Sequence, residues 1–488
     1  MLLAAALRAV VMLGYPPAMF FNDSYNYMTD AVVGKPDVVR ANGYPFLLRL
    51  LLPAHNLSLV TGLQAAMGLA TGVAIYAVLR HRGLPWWGAT IPAMPSLFDV
   101  WQLQIEHTIG ADALFTAIVT AAVIMLCWWD RPPLWAVILA GLLIGYSATV
   151  RSVGEPLLCV VVIGMIARRM GWRRVLAVGV AGALPIVAYM TWFYAHDGQF
   201  TLTESGGTFL YSRVSSFADC SRIDPPPDLR VLCDPRPPGQ REGSQEYLWA
   251  NDTPLGILTG PDNNYRFTPH VEYLTSRFAE QAIMSQPLSY VAVVGDDTWR
   301  TFGWRRFQSD LAGSGDKFRF ESTTEPVPGW VTSDASNDKA ATEFGGRTLG
   351  RPKVVQPWAE FLRLYERWAY LRGPFLLAFL VVGLGGIAIS WRRQDRAVAQ
   401  RAALGGLGLL PWLVGAALIV LPPMTAGFSY RYVLAAVPAT CLASGLAFVG
   451  RGSLITWLRE LSERRRARAE PGRKPGIASR PYSTDPAD

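Results

Sequence analysis

Residues 109–129 read IGADALFTAIVTAAVIMLCWW, an apolar run in which Asp112 is the one charged side chain. An α-helix rises about 1.5 Å per residue, so roughly 20 apolar residues cross the ~30 Å of hydrocarbon in a bilayer. The stretch therefore predicts a membrane-spanning helix. Its single carboxylate, one turn from the start, needs a separate explanation.

The whole chain shares this apolar character. Of its 488 residues, 51% are hydrophobic and 17% are charged, whereas soluble proteins carry about 25% charged residues. With 109–129, the predicted spans are 2–20, 57–79, 84–101, 134–150, 154–167, 174–194, 371–390, 403–423 and 432–450. The sequence thus predicts a mainly α, polytopic membrane bundle of about ten spans.

The distribution of these spans predicts four parts of the chain. They are an N-terminal transmembrane module with catalytic outer loops (1–194), an extracytoplasmic domain of mixed structure (195–370), C-terminal spans (371–450) and a basic, disordered cytoplasmic tail (451–488). The central part is rich in Pro, Asp, Ser, Thr and Gly, which is typical of a water-exposed segment.

Arginine-rich loops predict the orientation. They are RHRG (80–83), RRMGWRR (168–174), WRRQDR (391–396) and RRRAR in the tail. Positive residues resist translocation, so we expect these loops and both termini in the cytoplasm. The 21–55 loop, a turn near 102–108 and the 195–370 domain then face the exterior of a plasma membrane.

Two polar segments have helical spacing. Within the 21–55 loop, NGYPFLLRLLLP predicts amphipathic helices that lie on the membrane surface. Residues 271–304 predict a second surface-lying helix pair with a break at Pro287, and Asp296 and Asp297 are interpreted there as solvated loop residues.

The five cysteines fall into two groups. Cys127, Cys159 and Cys441 lie in apolar spans and are interpreted as packing residues. Cys220 and Cys233 lie in a polar, proline-rich stretch. A disulfide between them requires an oxidising compartment, and two cysteines alone do not decide between a bridge and free thiols.

Charged residues gather where the predicted spans meet the outer surface. These are Asp23 with Asp30, then Glu106, His107 and Asp112 in QIEHTIGADALF, Arg151 after the fifth span, and Arg431 beside Tyr430 in SYRYV. In a compact bundle they converge in one cleft, which is a common form of binding site.

Simpler interpretations exist for most of these residues. Asp23 and Ser24 suit the cap of a surface helix, Arg151 and Arg431 suit snorkelling to lipid headgroups, and the acidic turn before Asp112 suits solvent. Asp112 itself is harder to explain in this way, because a carboxylate inside a span costs about 2.5–3.5 kcal/mol and so implies a compensating role.

Several functional classes lack their sequence signatures. The chain has no H-E-x-x-H, C-x-x-C, phosphate-binding glycine loop, G-x-S-x-G or D-x-D motif, and only five histidines. No cofactor, and in particular no divalent metal, is indicated. The net charge of +8 resides in short clusters beside apolar runs, where it orients helices, so nucleic-acid binding is not predicted.

These features resemble the GT-C superfamily of membrane glycosyltransferases, which includes protein O-mannosyltransferases and aminoarabinose lipid A transferases. The matching segments are NDSYNY, the following GYP, EHTIGADALF, VRSVGEP and RYVLAAVP. The resemblance covers the first seven spans and, more loosely, the last three. The chain departs from the commonest family pattern because Ser24 follows Asp23 where the family has a doublet of acids.

The resemblance implies a function as well as a fold. It implies a polyprenyl-phosphate sugar donor, used at the outer face of the bilayer, and inverting transfer to a glycan, lipid or protein acceptor of the cell envelope. Asp23 is then the general base, Asp112 or Glu106 the second acid, and Arg431 a phosphate contact. The remaining predicted substrate-site residues are Arg151, His107, Tyr430 and Asp30.

Two other classes of function compete with this one. A transporter or flippase of a lipid-linked intermediate needs polar groups near the bilayer midplane and often an internal repeat, and the sequence shows no repeat of fixed period. A non-catalytic envelope scaffold needs the acidic residues only for assembly.

Overall fold

The computed structural model describes residues 1–241, 243–260, 263–305, 319–323, 335–345, 353–392 and 406–449, with a few isolated positions in the tail. Within these ranges the protein is helical and has no β-strand, which confirms the mainly α prediction. The mixed structure expected for 195–370 is therefore wrong for its described part. Most of the predicted basic tail lies outside the described residues.

Ten α-helices lie within the first 197 residues. They are α1 (Leu2–Gly14), α2 (Asn22–Val33), α3 (Gly43–Leu51), α4 (Leu57–His81), α5 (Trp86–Phe98), α6 (Val100–His107), α7 (Ala111–Trp128), α8 (Leu134–Val150), α9 (Gly154–Ala167) and α10 (Trp172–Asp197). Helices α2 and α3 occupy the loop in which surface helices were predicted, and whether they lie on a membrane stays a prediction.

Two predicted spans differ from the observed helices. Helix α1 ends at Gly14, before Pro16 and Pro17, because proline has no backbone N–H to continue the hydrogen-bond ladder. The span predicted at 84–101 is broken at Asp99, whose carboxylate accepts hydrogen bonds from the backbone N–H groups of Trp101 and Gln102. Asp99 thereby caps α6, so a new helix replaces the turn predicted near 102–108.

The rest of the described chain adds eleven α-helices. They are α11 (Gly206–Ser215), α12 (Cys220–Ile223), α13 (Ser244–Trp249), α14 (Pro254–Thr259), α15 (Pro269–Ser285), α16 (Pro287–Arg300), α17 (Ala335–Glu343), α18 (Trp358–Glu366), α19 (Gly373–Arg392), α20 (Leu409–Thr425) and α21 (Tyr430–Leu446). The pair α15 and α16 meets at Pro287, where the sequence predicted the break.

Four helices among the described residues are long and apolar enough to cross a bilayer: α4, α7, α10 and the part of α19 from Gly373 to Trp391. Helices α1, α8, α9 and α20 are apolar but shorter. These lengths and compositions mark the chain as a membrane protein. The count of ten spans and the sidedness of the loops stay predictions.

Helix α21 is the centre of the bundle. It packs against α4, α5, α7, α19 and α20, and its residues 433–446 are all buried. Helices α8 and α10 pack closely at the bundle edge, where a Cβ atom on Gly145 would collide with the backbone of Gly182. Small residues of this kind let membrane helices approach one another.

The central region, residues 195–370, has a small core of its own. Helices α11 and α15 pack around Tyr211, Val214 and Phe278, all nearly fully buried. Cys220 and Cys233 form a disulfide beside this core. The free cysteines Cys127 and Cys441 are buried in the bundle as expected for packing residues, whereas Cys159 is exposed.

A hydrogen bond joins the central region to the bundle, and an ion pair joins two helices within the central region. Arg213 of α11 lies 2.7 Å from Asp297 of α16, and the Tyr290 hydroxyl of α16 donates to the backbone carbonyl of Met424 in α20 at 2.8 Å. Asp297 is only 4% exposed. The prediction that Asp297 is a solvated loop residue is therefore wrong, because α16 turns it towards Arg213.

Candidate functional site: paired acids and arginines between α2, α7 and α21

The start of α2 is fixed to the segment that leads into α7. The backbone N–H of Met19 donates to the carbonyl of His107 at 2.9 Å, and that of Ile109 donates to the carbonyl of Met19 at 3.0 Å. Ser24 Oγ accepts from the N–H of Phe21 at 2.9 Å and donates to the carbonyl of Ile109 at 2.6 Å. Ser24 therefore caps α2, and Asp23 makes other contacts.

Asp23 shares its carboxylate between two arginines that are distant in sequence. Its Oδ1 accepts from Arg40 Nη2 at 2.8 Å, and its Oδ2 accepts from Arg431 Nη2 at 3.0 Å. Arg40 follows α2 in the same loop, and Arg431 is the second residue of α21. The side chains of the three residues are 13–18% exposed, so the ion pairs are largely withdrawn from water.

The two guanidinium groups control the charge of Asp23. Burial by itself opposes ionisation of the carboxyl group, but Arg40 and Arg431 more than offset burial and lower its pKa to about 2. The position in the first turn of α2 also favours a negative charge. Asp23 is therefore ionised throughout the physiological range.

A second acid–arginine pair lies beside the first. Arg151, the residue after α8, forms an ion pair with Asp112 in the first turn of α7. The Arg151 guanidinium lies 4.7 Å from the centre of the Tyr432 ring, and the Arg431 guanidinium lies 5.2 Å from it. Tyr432 thus joins the two pairs through cation–π contacts.

We call Asp23, Arg40, Asp112, Arg151, Arg431 and Tyr432 the acid–arginine cluster. Its three guanidinium groups and two carboxylates leave one excess positive charge. Guanidinium groups bind phosphate through two parallel hydrogen bonds. The cluster therefore combines an ionised carboxylate with cations suited to a phosphate ligand.

Asp30 lies two turns further along α2, outside the ion pairs of the cluster. Its Oδ2 atom is buried and has no hydrogen-bond partner among the described residues. Asp37 lies 3.8 Å from Arg40. Burial raises the pKa of both carboxyl groups, and their mutual repulsion raises that of Asp30 further.

Glu106 and His107 lie in the interior rather than in an exposed turn. Glu106 accepts two hydrogen bonds from Arg8 of α1, at 2.7 and 2.9 Å, and a third from Gln102 at 3.1 Å. His107 Nε2 lies 2.8 Å from the carbonyl oxygen of Tyr15. Glu106 ties α6 to α1, His107 ties it to the residue that follows α1, and these contacts include no member of the acid–arginine cluster.

Tyr430 also contacts residues outside the cluster. Its hydroxyl donates to the carbonyl of Leu371 at 3.0 Å, and its ring meets that of Trp101 edge-on at 5.2 Å. Tyr432 is the tyrosine whose ring lies beside the guanidinium groups of both Arg151 and Arg431. Tyr430 and Tyr432 are both adjacent to Arg431 in sequence. Because adjacent residues in a helix point about 100° apart, adjacency to Arg431 did not predict which of the two rings lies in the cluster.

The sequence reasoning missed Arg40 and Tyr432. Arg40 stands in GKPDVVRANGYP, a polar loop in which it is the only arginine, three residues after Asp37, and this isolated arginine near an acidic residue was the available signal. Among the described residues, no group of three or more His, Cys, Asp or Glu side chains is placed to hold a metal ion.

Comparison with known proteins finds a partial structural similarity and no match in sequence. No family model and no curated protein matches the chain. Among solved structures, it is similar to the S. cerevisiae protein O-mannosyltransferase complex bound to the sugar donor, with 18% sequence identity and a TM-score of 0.33. The similarity covers 48% of this chain and 36% of that chain.

Proposed function

We propose that the protein transfers a sugar from a polyprenyl-phosphate donor to a cell-envelope acceptor, with inversion, at the outer face of the plasma membrane. The observation that carries this proposal is the shared Asp23 carboxylate. Arg40 and Arg431 bind it from two sides, and a second pair, Asp112 and Arg151, lies next to it.

Asp23 acts as the general base in this proposal. It accepts the proton of an acceptor hydroxyl group while that oxygen attacks the anomeric carbon of the sugar. The bond between the anomeric carbon and the phosphate oxygen breaks, and the electron pair leaves with the phosphate. The new glycosidic bond forms on the opposite face of the ring, so the anomeric configuration inverts. General bases of this kind contribute about 10²- to 10⁴-fold to rate.

The arginines bind the phosphate that leaves. Arg431 and Arg151 lie on the same aromatic ring, so both guanidinium groups can contact one phosphate between them. Cations placed where negative charge develops stabilise the transition state of group transfer. Asp112 acts as a positioning residue, because its ion pair with Arg151 fixes the direction of that guanidinium.

Donor binding also activates the base. In the free protein the pKa of Asp23 is about 2, which makes its carboxylate a weak proton acceptor. A donor phosphate competes with Asp23 for Arg431 and Arg40. Weaker pairing raises the pKa of Asp23, so the carboxylate becomes a stronger base once the donor is in place.

The test compares glycans and glycolipids of cells that lack the gene with cells complemented by the wild type or by D23N. We expect one sugar to be missing from the deletion strain, restored by the wild type and not by D23N. An unchanged glycan profile in the deletion strain would contradict the proposal.

A reconstituted assay separates transfer from transport. Proteoliposomes receive labelled donor and acceptor on one side of the bilayer only. A transferase forms product without moving the donor across the membrane, whereas a flippase moves the donor and forms no product.

A further inference from the structure

Helix α16 exposes an apolar face. Leu288, Val291 and Trp299 are 83%, 64% and 67% exposed, and the same helix buries one of its two acidic residues, Asp297, against Arg213. A helix in contact with water normally turns its large apolar side chains towards the core. An apolar face of this kind is typical of a helix that lies in the interface of a bilayer.

A groove runs between this helix and α20. Its volume is about 320 Å³, and it is lined by Tyr290, Val294, Gly295 and Trp299 of α16 and by Val420 and Met424 of α20. A Cβ atom placed on Gly295 meets no other atom within 4 Å. The groove is therefore open at Gly295, and α20, which forms its other wall, is one of the short apolar helices.

A cation and two aromatic rings lie at the C-terminal end of α16. The backbone N–H of Gly373, the first residue of α19, donates to the carbonyl of Gly303 at 3.1 Å. The neighbouring Arg372 guanidinium lies 4.6 Å from the ring centres of both Trp304 and Tyr370. Tryptophan, tyrosine and arginine at the start of an apolar helix are typical of the headgroup level of a bilayer.

The groove also contains one hydroxyl group without a partner. Thr298 lines it, and Thr298 Oγ1 is buried and lacks a hydrogen-bond acceptor or donor among the described residues. Buried polar atoms are nearly always hydrogen-bonded. A ligand with an ester carbonyl near its apolar chain supplies the acceptor that this hydroxyl lacks.

We propose that this groove binds a phospholipid of the adjacent leaflet. One acyl chain occupies the space beside Gly295, its ester carbonyl accepts a hydrogen bond from Thr298, and its phosphate lies against Arg372. The bound lipid fills the space between α16 and α20 and anchors the central region to the membrane. This proposal is independent of the sugar-transfer reaction.

The test measures bound lipid by native mass spectrometry of protein released from nanodiscs of defined phospholipid. Gly295→Leu fills the groove, and leucine favours a helix more than glycine does, so the substitution keeps α16 folded. We expect this variant to lose one tightly bound phospholipid per protein. Thr298→Val retains the shape and removes the hydroxyl, and we expect a roughly threefold to tenfold higher Kd for the lipid, the effect of about one hydrogen bond.

The matched control is Gly385→Leu. Gly385 lies within the apolar helix α19, and a Cβ atom there also meets nothing within 4 Å, so the same side chain is added outside the groove. The control should bind lipid like the wild type. Equal lipid content in the Gly295→Leu variant overturns the proposal, and so does a bound mass that corresponds to a polyprenyl phosphate instead of a phospholipid.

Discussion

Replacing Asp23 by asparagine separates the catalytic role of this residue from a structural one. The substitution preserves shape and removes the negative charge that Arg40 and Arg431 share. Loss of a general base lowers kcat by about 10²- to 10⁴-fold, which corresponds to about 3–5 kcal/mol in the barrier. We therefore expect a loss of kcat of this size in a purified, nanodisc-embedded protein.

The same substitution should tighten donor binding. Removing one carboxylate raises the excess positive charge of the acid–arginine cluster from one to two. An added unit charge in a partly solvated site is worth roughly 1 kcal/mol towards a phosphate, or about a fivefold lower Kd. If Asp23 only supported the fold, its substitution would instead raise the Kd for the donor, because a disordered site binds donor more weakly.

The assay measures kcat and KM with labelled donor, and Kd for the donor by direct binding. Asp37→Asn is the control, because Asp37 also lies near Arg40, at 3.8 Å, but has no proposed part in proton transfer. Thermal unfolding of both variants checks that they fold. A role of Asp23 as general base is refuted if the Asp23 variant keeps more than about a tenth of kcat, or if both variants lose kcat equally.

Three further predictions follow from the ion pairs and the disulfide. R40Q removes one of the two cations beside Asp23, so the pKa of Asp23 should rise from about 2 by about 1–3. The low pKa of the wild type keeps the base ionised as pH falls, and the variant loses part of this protection. We therefore expect kcat/KM of R40Q to decline below roughly pH 5, where the wild type shows no decline from Asp23. In E106Q the buried Arg8 loses its anionic partner, so the free energy of unfolding should fall by about 3–5 kcal/mol while KM of the folded protein is unchanged. An unaltered midpoint of thermal unfolding would contradict this prediction. C220S removes the disulfide to Cys233, 13 residues away. The stability of the central region should fall by about 3 kcal/mol. We expect this as faster hydrogen exchange in α11 and α15 but not in the bundle.

Hydrophobic patterning determined most of the helices. The spans predicted at 134–150 and 154–167 coincide with α8 and α9, because each apolar run starts beside residues that favour the first turn of a helix: Pro133 before α8, and Glu155 and Pro156 in α9. Patterning failed at 84–101, where the apolar run continues through two helices. Asp99 decides that break by capping α6 and by accepting a hydrogen bond from the N–H of Leu371, about 270 residues away in sequence. Leu371 lies too far along the chain for a local sequence pattern to predict this hydrogen bond.

The sequence by itself determined that acids and arginines stand at the ends of apolar helices, because charge is costly inside a bilayer and so marks sites that need compensation. Only the tertiary structure decided which charges are partners: Asp23 with Arg40 and Arg431, and Asp112 with Arg151, while Glu106 pairs with Arg8 in the interior. The physical reason is that electrostatic pairing depends on distance in space. That distance is set by the packing of α2, α7 and α21, which the order of residues along the chain does not encode locally.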